Sequence, residues 1–461
     1  MFSASCAVWG ACGQCAESAL GGPAHNRFTP FETVVAAGGA FPEILVNTAS
    51  LNVYLRVTDL RIGGARGFSL ERSYNLDDDR SGPFGNKWAF NLGESLAPDA
   101  ERRYWTLRQG SGRLEVFAAA AEPGRFFPAG GAMLDLAQNA AGYTARGGGV
   151  TRTFRADGRL TALDQNGFQV TLEYDAAGRL TVARGAGRII QFGYDPRGYV
   201  AGAADSAGRT LEYGYSAEGY LTQQTNADGT TTRYEYDGAG RLTAVRAGPD
   251  AVLIAYSGQP EGVHITLPDG AVRTFEAGRP REVRAGTGEG GPASVYASTP
   301  LGLVESVTDA AGNRITYAYD AAGRRTRMVN AAGDTVRFDY DAGGNLTGIL
   351  LPGGARWTAE YDAAGSPVRI TDPRGNAWRF GYRDGLLMSL ADPLGAPSAV
   401  TRSAVGLVDA FTDANFNACT FQYGGDGLLM RWTDALGLVR SYEYDGAARP
   451  VSRTDPDGSV V

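Results

Sequence analysis

Few residues in this 461-residue chain have the types and spacing that enzyme chemistry needs. Nucleophilic or metal chemistry would draw on two histidines, His25 and His264, and four cysteines, Cys6, Cys12, Cys15 and Cys419. A Ser-His-Asp triad or a multi-histidine metal centre needs such groups to converge, and here one histidine stands near the start and the other far downstream. Cys6, Cys12 and Cys15 form a C-x5-C-x2-C cluster. Even with His25 as a fourth ligand that spacing matches no standard zinc finger or ribbon, so the thiols are read as incidental to a leader of small residues. The single lysine, Lys87, follows Gly85 and Asn86 rather than the second glycine of a GxxxxGK[ST] loop, which excludes that nucleotide cradle.

Two strings imitate ligand loops. Gly286, Gly288 and Gly291 satisfy G-x-G-x-x-G, but Pro292 follows where a helix N-terminus would bind pyrophosphate, so an insertion between repeats is expected. Asp77, Asp79 and Ser81 mimic the start of a calcium loop whose twelfth position is Trp88 in place of a bidentate glutamate. His264 lies in the alternating run Gly262-Val263-His264-Ile265-Thr266-Leu267, with no Cys, Ser or second His beside it in sequence. The sequence therefore assigns no catalytic residue, no metal site and no cofactor.

The elements available to position a site are turn-rich β-structure. Glycine contributes 65 residues, about twice its usual ~7% share, and with 21 prolines it disfavours long helices. The 22 Tyr, 19 Phe and 6 Trp supply apolar surface that disordered chains lack. A net charge of -7 gives no steering field for phosphate backbones, so nucleic acid is not expected as a partner. No run of ~18 apolar residues marks a membrane-spanning helix, and no Arg or Lys precedes Arg27 to form the charged start of a secretory signal.

Self-similarity is the dominant signal. Lines such as YDAAGRLTVARGAGRIIQFGY from Tyr174 and YEYDGAGRLTAVRAGPDAVLIAY from Tyr234 share an aromatic, an Asp, two small residues, a Gly and two alternating runs. Anchor aromatics fall at Phe154, Tyr174, Tyr194, Tyr215, Tyr236, Tyr256, Phe275, Tyr296, Tyr319, Tyr340, Tyr361 and Tyr382, then at a degenerate step near Ser403, then at Tyr423 and Tyr444. From 154 to 444 is fourteen steps of about 20.7 residues. The signature is carried by Tyr174, Asp175, Gly178 and Arg179; by Tyr236, Asp237, Gly240 and Arg241; by Tyr319, Asp320, Gly323 and Arg324; by Tyr340, Asp341 and Gly344; by Tyr361, Asp362 and Gly365; and by Tyr444 and Asp445. In Tyr-x-Tyr-Asp the two rings lie at i and i+2 and share one strand face. In Asp-x-x-Gly the carboxylate can accept from the backbone two residues on, and Gly tolerates the positive φ that closes the turn. Each repeat is thus read as a β-hairpin, and hairpins this small need stacking to acquire a core.

This pattern resembles the YD repeat of the Rhs family, bacterial polymorphic-toxin carriers related to the insecticidal toxin-complex shells and to teneurins. Residues 154–461 carry the YDxxGRLT-like unit; upstream, Asn52 to Leu60, Leu70 to Asn75 and Gly82 to Trp88 resemble the segment that leads into the repeats. The resemblance implies an all-β chain of stacked antiparallel hairpins, about 21 residues each, forming a curved, spiralling sheet, a partial YD-repeat shell. It divides the sequence into a leader of unknown role at 1–30, an Rhs-type N-terminal segment at 31–111, a β-rich transition at 112–153 and about 14 repeats at 154–461. In the family the shell encloses a toxic C-terminal domain, and a core domain with an aspartyl self-cleavage site ends it. Here the sequence closes at Asp455-Pro456-Asp457-Gly458-Ser459-Val460-Val461, inside a repeat, so cleavage and toxicity are not carried over. Asp372-Pro373-Arg374-Gly375, Asp392-Pro393-Leu394-Gly395 and Asp455-Pro456-Asp457-Gly458 are read as turns.

The resemblance implies a non-enzymatic shell segment, secreted or at the cell surface, with a protein partner or further C-terminal region completing the shell around toxin cargo. Fourteen hairpins at ~4.8 Å per strand make a ribbon about 130 Å long, a partial wall expected not to encapsulate folded cargo alone. The open strand edge after Val461 is expected to invite a partner that supplies further repeats. A competing reading is a surface module whose aromatics bind glycans; against it, Trp357, Trp378 and Trp432 fall at irregular offsets in the repeats. A propeller enzyme, from two repeats per four-stranded blade, lacks a convergent catalytic set.

Overall fold

Period-two alternation decides the architecture. In the strand Phe168–Tyr174, Phe168, Val170 and Leu172 are buried while Gln169 and Glu173 are exposed. The computed structural model describes residues 31–461 except 37–40, 63–67, 121, 130–133, 148–149, 166–167, 186, 259–260, 279–281, 289–290, 322, 364, 384–385, 404–405, 425–427 and 445–449. Cys6, Cys12, Cys15, His25 and Asp445 therefore lie outside the described residues. Among the described residues no helix is long and apolar enough to cross a membrane.

Thirty-two strands, from Asp135–Asn139 to Pro450–Thr454, pair in sequence order into one antiparallel sheet. The chain is all-β, built of consecutive hairpins. The first strand is bridged by Arg125 opposite Ala137, from a four-stranded sheet of Ser95–Pro98, Tyr104–Arg108, Leu114–Ala119 and Phe126–Ala129. Segment 112–153 is thus divided between two sheets. At the other edge the backbone N–H and C=O of Arg453 both bond to Val461.

Directly opposed residues in an antiparallel ladder share a face, so the register traces one row across the sheet. Leu172 opposes Ala183, Phe192 opposes Ala203, Tyr213 opposes Gln224, and Tyr234 opposes Val245. Further along the same row Tyr317 opposes Met328, Phe338 opposes Ile349, Ile370 opposes Trp378, and Phe421 opposes Trp432. We call this the inner face.

A five-stranded sheet, in the order Phe31–Val35, Glu43–Asn47, Val53–Ile62, Phe68–Asn75 and Trp88–Phe90, lies against the first half of that row. Phe90 meets Phe192 with ring centroids 6.4 Å apart, Phe84 meets Tyr213 at 5.1 Å, and Trp88 meets Tyr234 at 5.2 Å. The Leu242 N–H donates to Tyr74 Oη at 3.0 Å. The buried hydrophobic cluster runs from Ile44 to Ala285, and Tyr296 packs at its margin. Beyond that margin Tyr317, Phe338, Trp357, Phe380, Phe411, Phe421 and Trp432 are only half-buried.

The two layers are pinned by one buried cation. Arg72, fully buried, pairs with fully buried Asp59 through Nε and through Nη2 at 2.9 Å, and its Nη2 also reaches Gln224 on the large sheet. Its guanidinium lies 4.8 Å from the Trp88 ring, 5.1 Å from Tyr213 and 5.5 Å from Phe84. Tyr213 Oη closes the cluster by donating to Asp59 at 2.7 Å. Removing one partner strands a charge in an apolar site, at a cost of about 3–5 kcal/mol. Arg72→Ala is therefore expected to lower the urea midpoint by that equivalent, whereas Arg246→Ala, which breaks an exposed pair with Glu235, should cost under about 1 kcal/mol. Equal effects in equilibrium unfolding would refute the pinning role.

Candidate functional site

The residues singled out by the repeat come together as interlocked turns. At Tyr236-Asp237-Gly238-Ala239-Gly240-Arg241, the Asp237 N–H donates to Arg241 O at 3.0 Å and the Gly240 N–H donates to Asp237 O at 2.9 Å. Asp237 Oδ1 accepts from the N–H groups of Ala239 and Arg241, and Oδ2 accepts from Arg241 Nε at 2.7 Å. Gly240 has φ +73°, and a Cβ there would meet Tyr220 Oη at 2.0 Å, so glycine is required twice over. The same turn recurs at Asp175 with Arg179 and at Asp320 with Arg324; Asn345 replaces the arginine at Asp341, and Ser366 at Asp362. Gly178, Gly323, Gly344 and Gly365 all have positive φ.

The tyrosine joins one unit to the one before. A β-bulge between Glu235 and Tyr236 opens the ladder at the turn, and Leu221 lies beyond the last paired residues of its own ladder with the Tyr236 strand. Tyr236 Oη donates to the Leu221 carbonyl at 2.9 Å, supplying the donor that the ladder does not. The contact repeats from Tyr174 to Leu160, Tyr319 to Val304, Tyr340 to Arg325, Tyr361 to Leu346 and Tyr444 to Leu429, at 2.6–3.0 Å. The turn arginine then covers the next tyrosine, with Arg179 4.9 Å from the Tyr194 ring, Arg241 4.6 Å from Tyr256 and Arg324 4.9 Å from Tyr340.

Register corrects several anchors. Phe275 opposes Ala285 and Tyr296 opposes Val307 on the inner row, while Ala277 and Ser298 occupy the turn-side positions. Gly278 and Thr299 follow them in the place of the turn aspartate, each donating its N–H across the turn, to Glu282 O and Leu303 O. With 277 and 298 as anchors, the steps from 256 to 319 are uniformly 21 residues. At the degenerate step Arg402 stands for the tyrosine, its Nε donating to the Leu387 carbonyl at 3.1 Å, and Ser403 stands for the aspartate.

The other candidates fall as follows. Asp372, Asp392 and Asp455 sit in the same turn as the other repeat aspartates. His264 Nε2 lies 3.3 Å from Ser257 Oγ, a hydroxyl that the sequence run did not place beside it. Gly286 and Thr287 end the strand Glu282–Thr287, and Glu289 and Gly290 lie outside the described residues. Asp78, between the two calcium-like aspartates, is buried and paired with Arg80 and Arg108. Among the described residues no group of three metal-ligating side chains converges.

A sequence model described as "RHS Repeat" matches residues 156–189, 215–250, 300–335, 361–397 and 423–460, and one described as "Domain of unknown function (DUF6531)" matches 45–117. The chain belongs to the Rhs/YD-repeat family. No curated protein matches it. Among solved structures, "TcdB2-TccC3-TEV" is similar at 11% identity and TM-score 0.40 over 87% of this chain and 26% of that one. "TcdB2-TccC3 without hypervariable C-terminal region" is similar at 12% identity and TM-score 0.41, over 88% and 26%. The Tc holotoxin pore of Photorhabdus luminescens is similar at 11% and 0.34, over 88% and 30%. This YD-repeat chain thus spans between a quarter and a third of those chains, and the family assignment rests on the matched repeats.

Tyr319→Phe and Tyr361→Phe each delete one hydroxyl bonded to a carbonyl and are expected to cost about 1 kcal/mol in chemical unfolding; no change would show that water replaces the hydroxyl freely. The turn carboxylates also set an acid limit. The Arg179 N–H holds the Asp175 carboxyl below the ordinary range, and the Asn313, Asn376 and Asn417 side chains do the same for Asp309, Asp372 and Asp413. Depressed carboxyls stabilise the fold above their unfolded values and lose that effect as pH falls through the folded ones. Stability should be level from pH 7 to about 5 and fall below about pH 4, with a shallower fall in Asp372→Asn; a profile unchanged by that substitution would contradict the assignment.

Proposed function

We propose that this chain is a non-enzymatic wall segment of an Rhs/YD-repeat shell that helps enclose or deliver a C-terminal toxin or effector. That cargo, and the rest of the wall, come from a further region of the polypeptide or from a partner chain, and the shell acts outside the producing cell. The observation that carries this reading is the two-sided sheet. Its outer face bears polar groups such as Glu360, Gln422 and Glu443, all exposed, while its inner row continues as aromatic and aliphatic side chains past the five-stranded sheet that covers its first half. A contiguous apolar surface of that kind marks a site where polypeptide packs. The signature residues are engaged in turn and rim contacts, a use of Asp, Arg and Tyr that is structural.

A glycan-binding reading draws on Trp357 and Trp378, which are 21 residues apart and stacked on the inner face at 6.4 Å and 17°. Co-expression with the polypeptide encoded downstream of Val461 separates the two. Under the shell reading the products co-purify and the partner resists protease far longer than when expressed alone. Independent purification with full protease sensitivity, together with glycan-array binding, would favour the second.

A further inference from the structure

We propose that the inner face between Val304 and Arg453 takes an acidic polypeptide, whose apolar side chains fill the aromatic row and whose carboxylates meet its arginines and tyrosines. The inference rests on the reading of the chain as a shell wall and adds the chemistry of what the wall holds.

The covered half displays that chemistry within the chain itself. Arg152 opposes Leu163 on the inner row, and its Nε donates to Glu94 Oε2 at 2.6 Å, both side chains being nine-tenths or more buried. Tyr213, on the same row, donates to Asp59 of the covering sheet at 2.7 Å. At these two places the covering chain sets a carboxylate against a cation or hydroxyl of the row, while its rings fill the apolar positions.

The second half of the row carries the same ingredients. Arg325 lies 4.7 Å from the Phe338 ring, and Arg440, opposite Trp432, lies 4.7 Å from that indole. Arg453 opposes Tyr442. Among the described residues no Asp or Glu holds a paired position on this part of the row. Asp339, Glu360 and Glu443 of these strands face outward, where Asp339 pairs with Arg356, Glu360 with Arg369, and Glu443 accepts from Ser452. Asp455, in the turn after Arg453, is shared by Arg440 and Arg453. An aromatic row that carries arginines and no paired carboxylate is complementary to apolar chain bearing carboxylates.

The test uses the full 461-residue chain and two fluorescently labelled peptides of equal length, one of Glu, Leu and Ser and one with Lys in place of every Glu. Anisotropy reads binding, and the fluorescence of Trp357, Trp378 and Trp432 reports whether the inner face is occupied. The Glu peptide is expected to bind and perturb the tryptophans, the Lys peptide not. Arg325→Glu with Arg440→Glu should weaken the Glu peptide by about 10-fold or more, with the circular dichroism spectrum unchanged. Trp357→Ala, which leaves the charges in place, should weaken it as well. Equal binding of both peptides would overturn the acidic preference and leave the wall reading standing. If neither binds, the acidic-occupant proposal falls while the wall reading stands or falls by the co-purification experiment, and the proposal falls likewise if a neutral oligosaccharide or self-association of the chain alone shields the tryptophans.

Discussion

The hydrogen bond from a turn-side tyrosine to a carbonyl in the preceding unit is the contact on which the array depends. A β-bulge next to each Asp-x-x-Gly turn that follows a turn-side tyrosine gives the hairpin its twist, and in the neighbouring ladder a carbonyl such as that of Leu221 lies beyond the last paired residues. The hydroxyl of Tyr236 reaches that carbonyl at 2.9 Å. Bulge, turn and tyrosine are therefore one device, and the period near 21 residues is the chain length needed to return to the same place in it. The turn arginine extends the device by one unit, since Arg241 holds Asp237 with its guanidinium and lies on Tyr256 of the following hairpin.

Such a device specifies neighbours and leaves the layer above unspecified. That layer is set by a different kind of contact, the buried Arg72. A guanidinium removed from water is costly, and here the cost is offset by Asp59, by Gln224 and by three aromatic faces. Gln224 and Tyr213 belong to the large sheet and the others to the covering segment, so the charge is satisfied only in one alignment of the two layers. Backbone bonds from Asn86 to Gly219 and from Val200 to Pro83 share that alignment.

What the sequence disclosed and what it hid follow the same division. The hairpins are legible because Asp-x-x-Gly and period-two alternation act within a few residues. Phe275 and Tyr296 misled because aromatic residues occupy both the deep row and the turn-side position, and only the bulge, which residue type does not reveal, tells them apart. Arg402 was hidden because a guanidinium donates to a carbonyl as a phenol does without looking like one in a pattern of aromatics. The irregular offsets of the tryptophans dissolve in the same way, since Trp357 and Trp378 are one repeat apart on one face and Trp432 belongs to the other strand of its hairpin. The covering sheet was not legible at all, because its contacts join residues about 150 positions apart, as between Arg72 and Gln224.

The covering sheet also explains why a single row can change character midway without any change in residue type. Up to Tyr296 the row is core, and its rings lie out of water against Phe84, Trp88 and Phe90. Past Tyr296 the same kinds of ring stand half-exposed. Rings gain most of their stabilisation from full burial, and a sheet with one solvated face needs only polar alternation on that face, which the outer side provides with Gln422 and Glu443. Aromatic side chains on the inner side are therefore in excess of what the hairpins require to hold one another. Their persistence through Phe380, Phe411, Phe421 and Trp432 is intelligible as the surface of a second layer, of the same depth as the first and packed by the same rules.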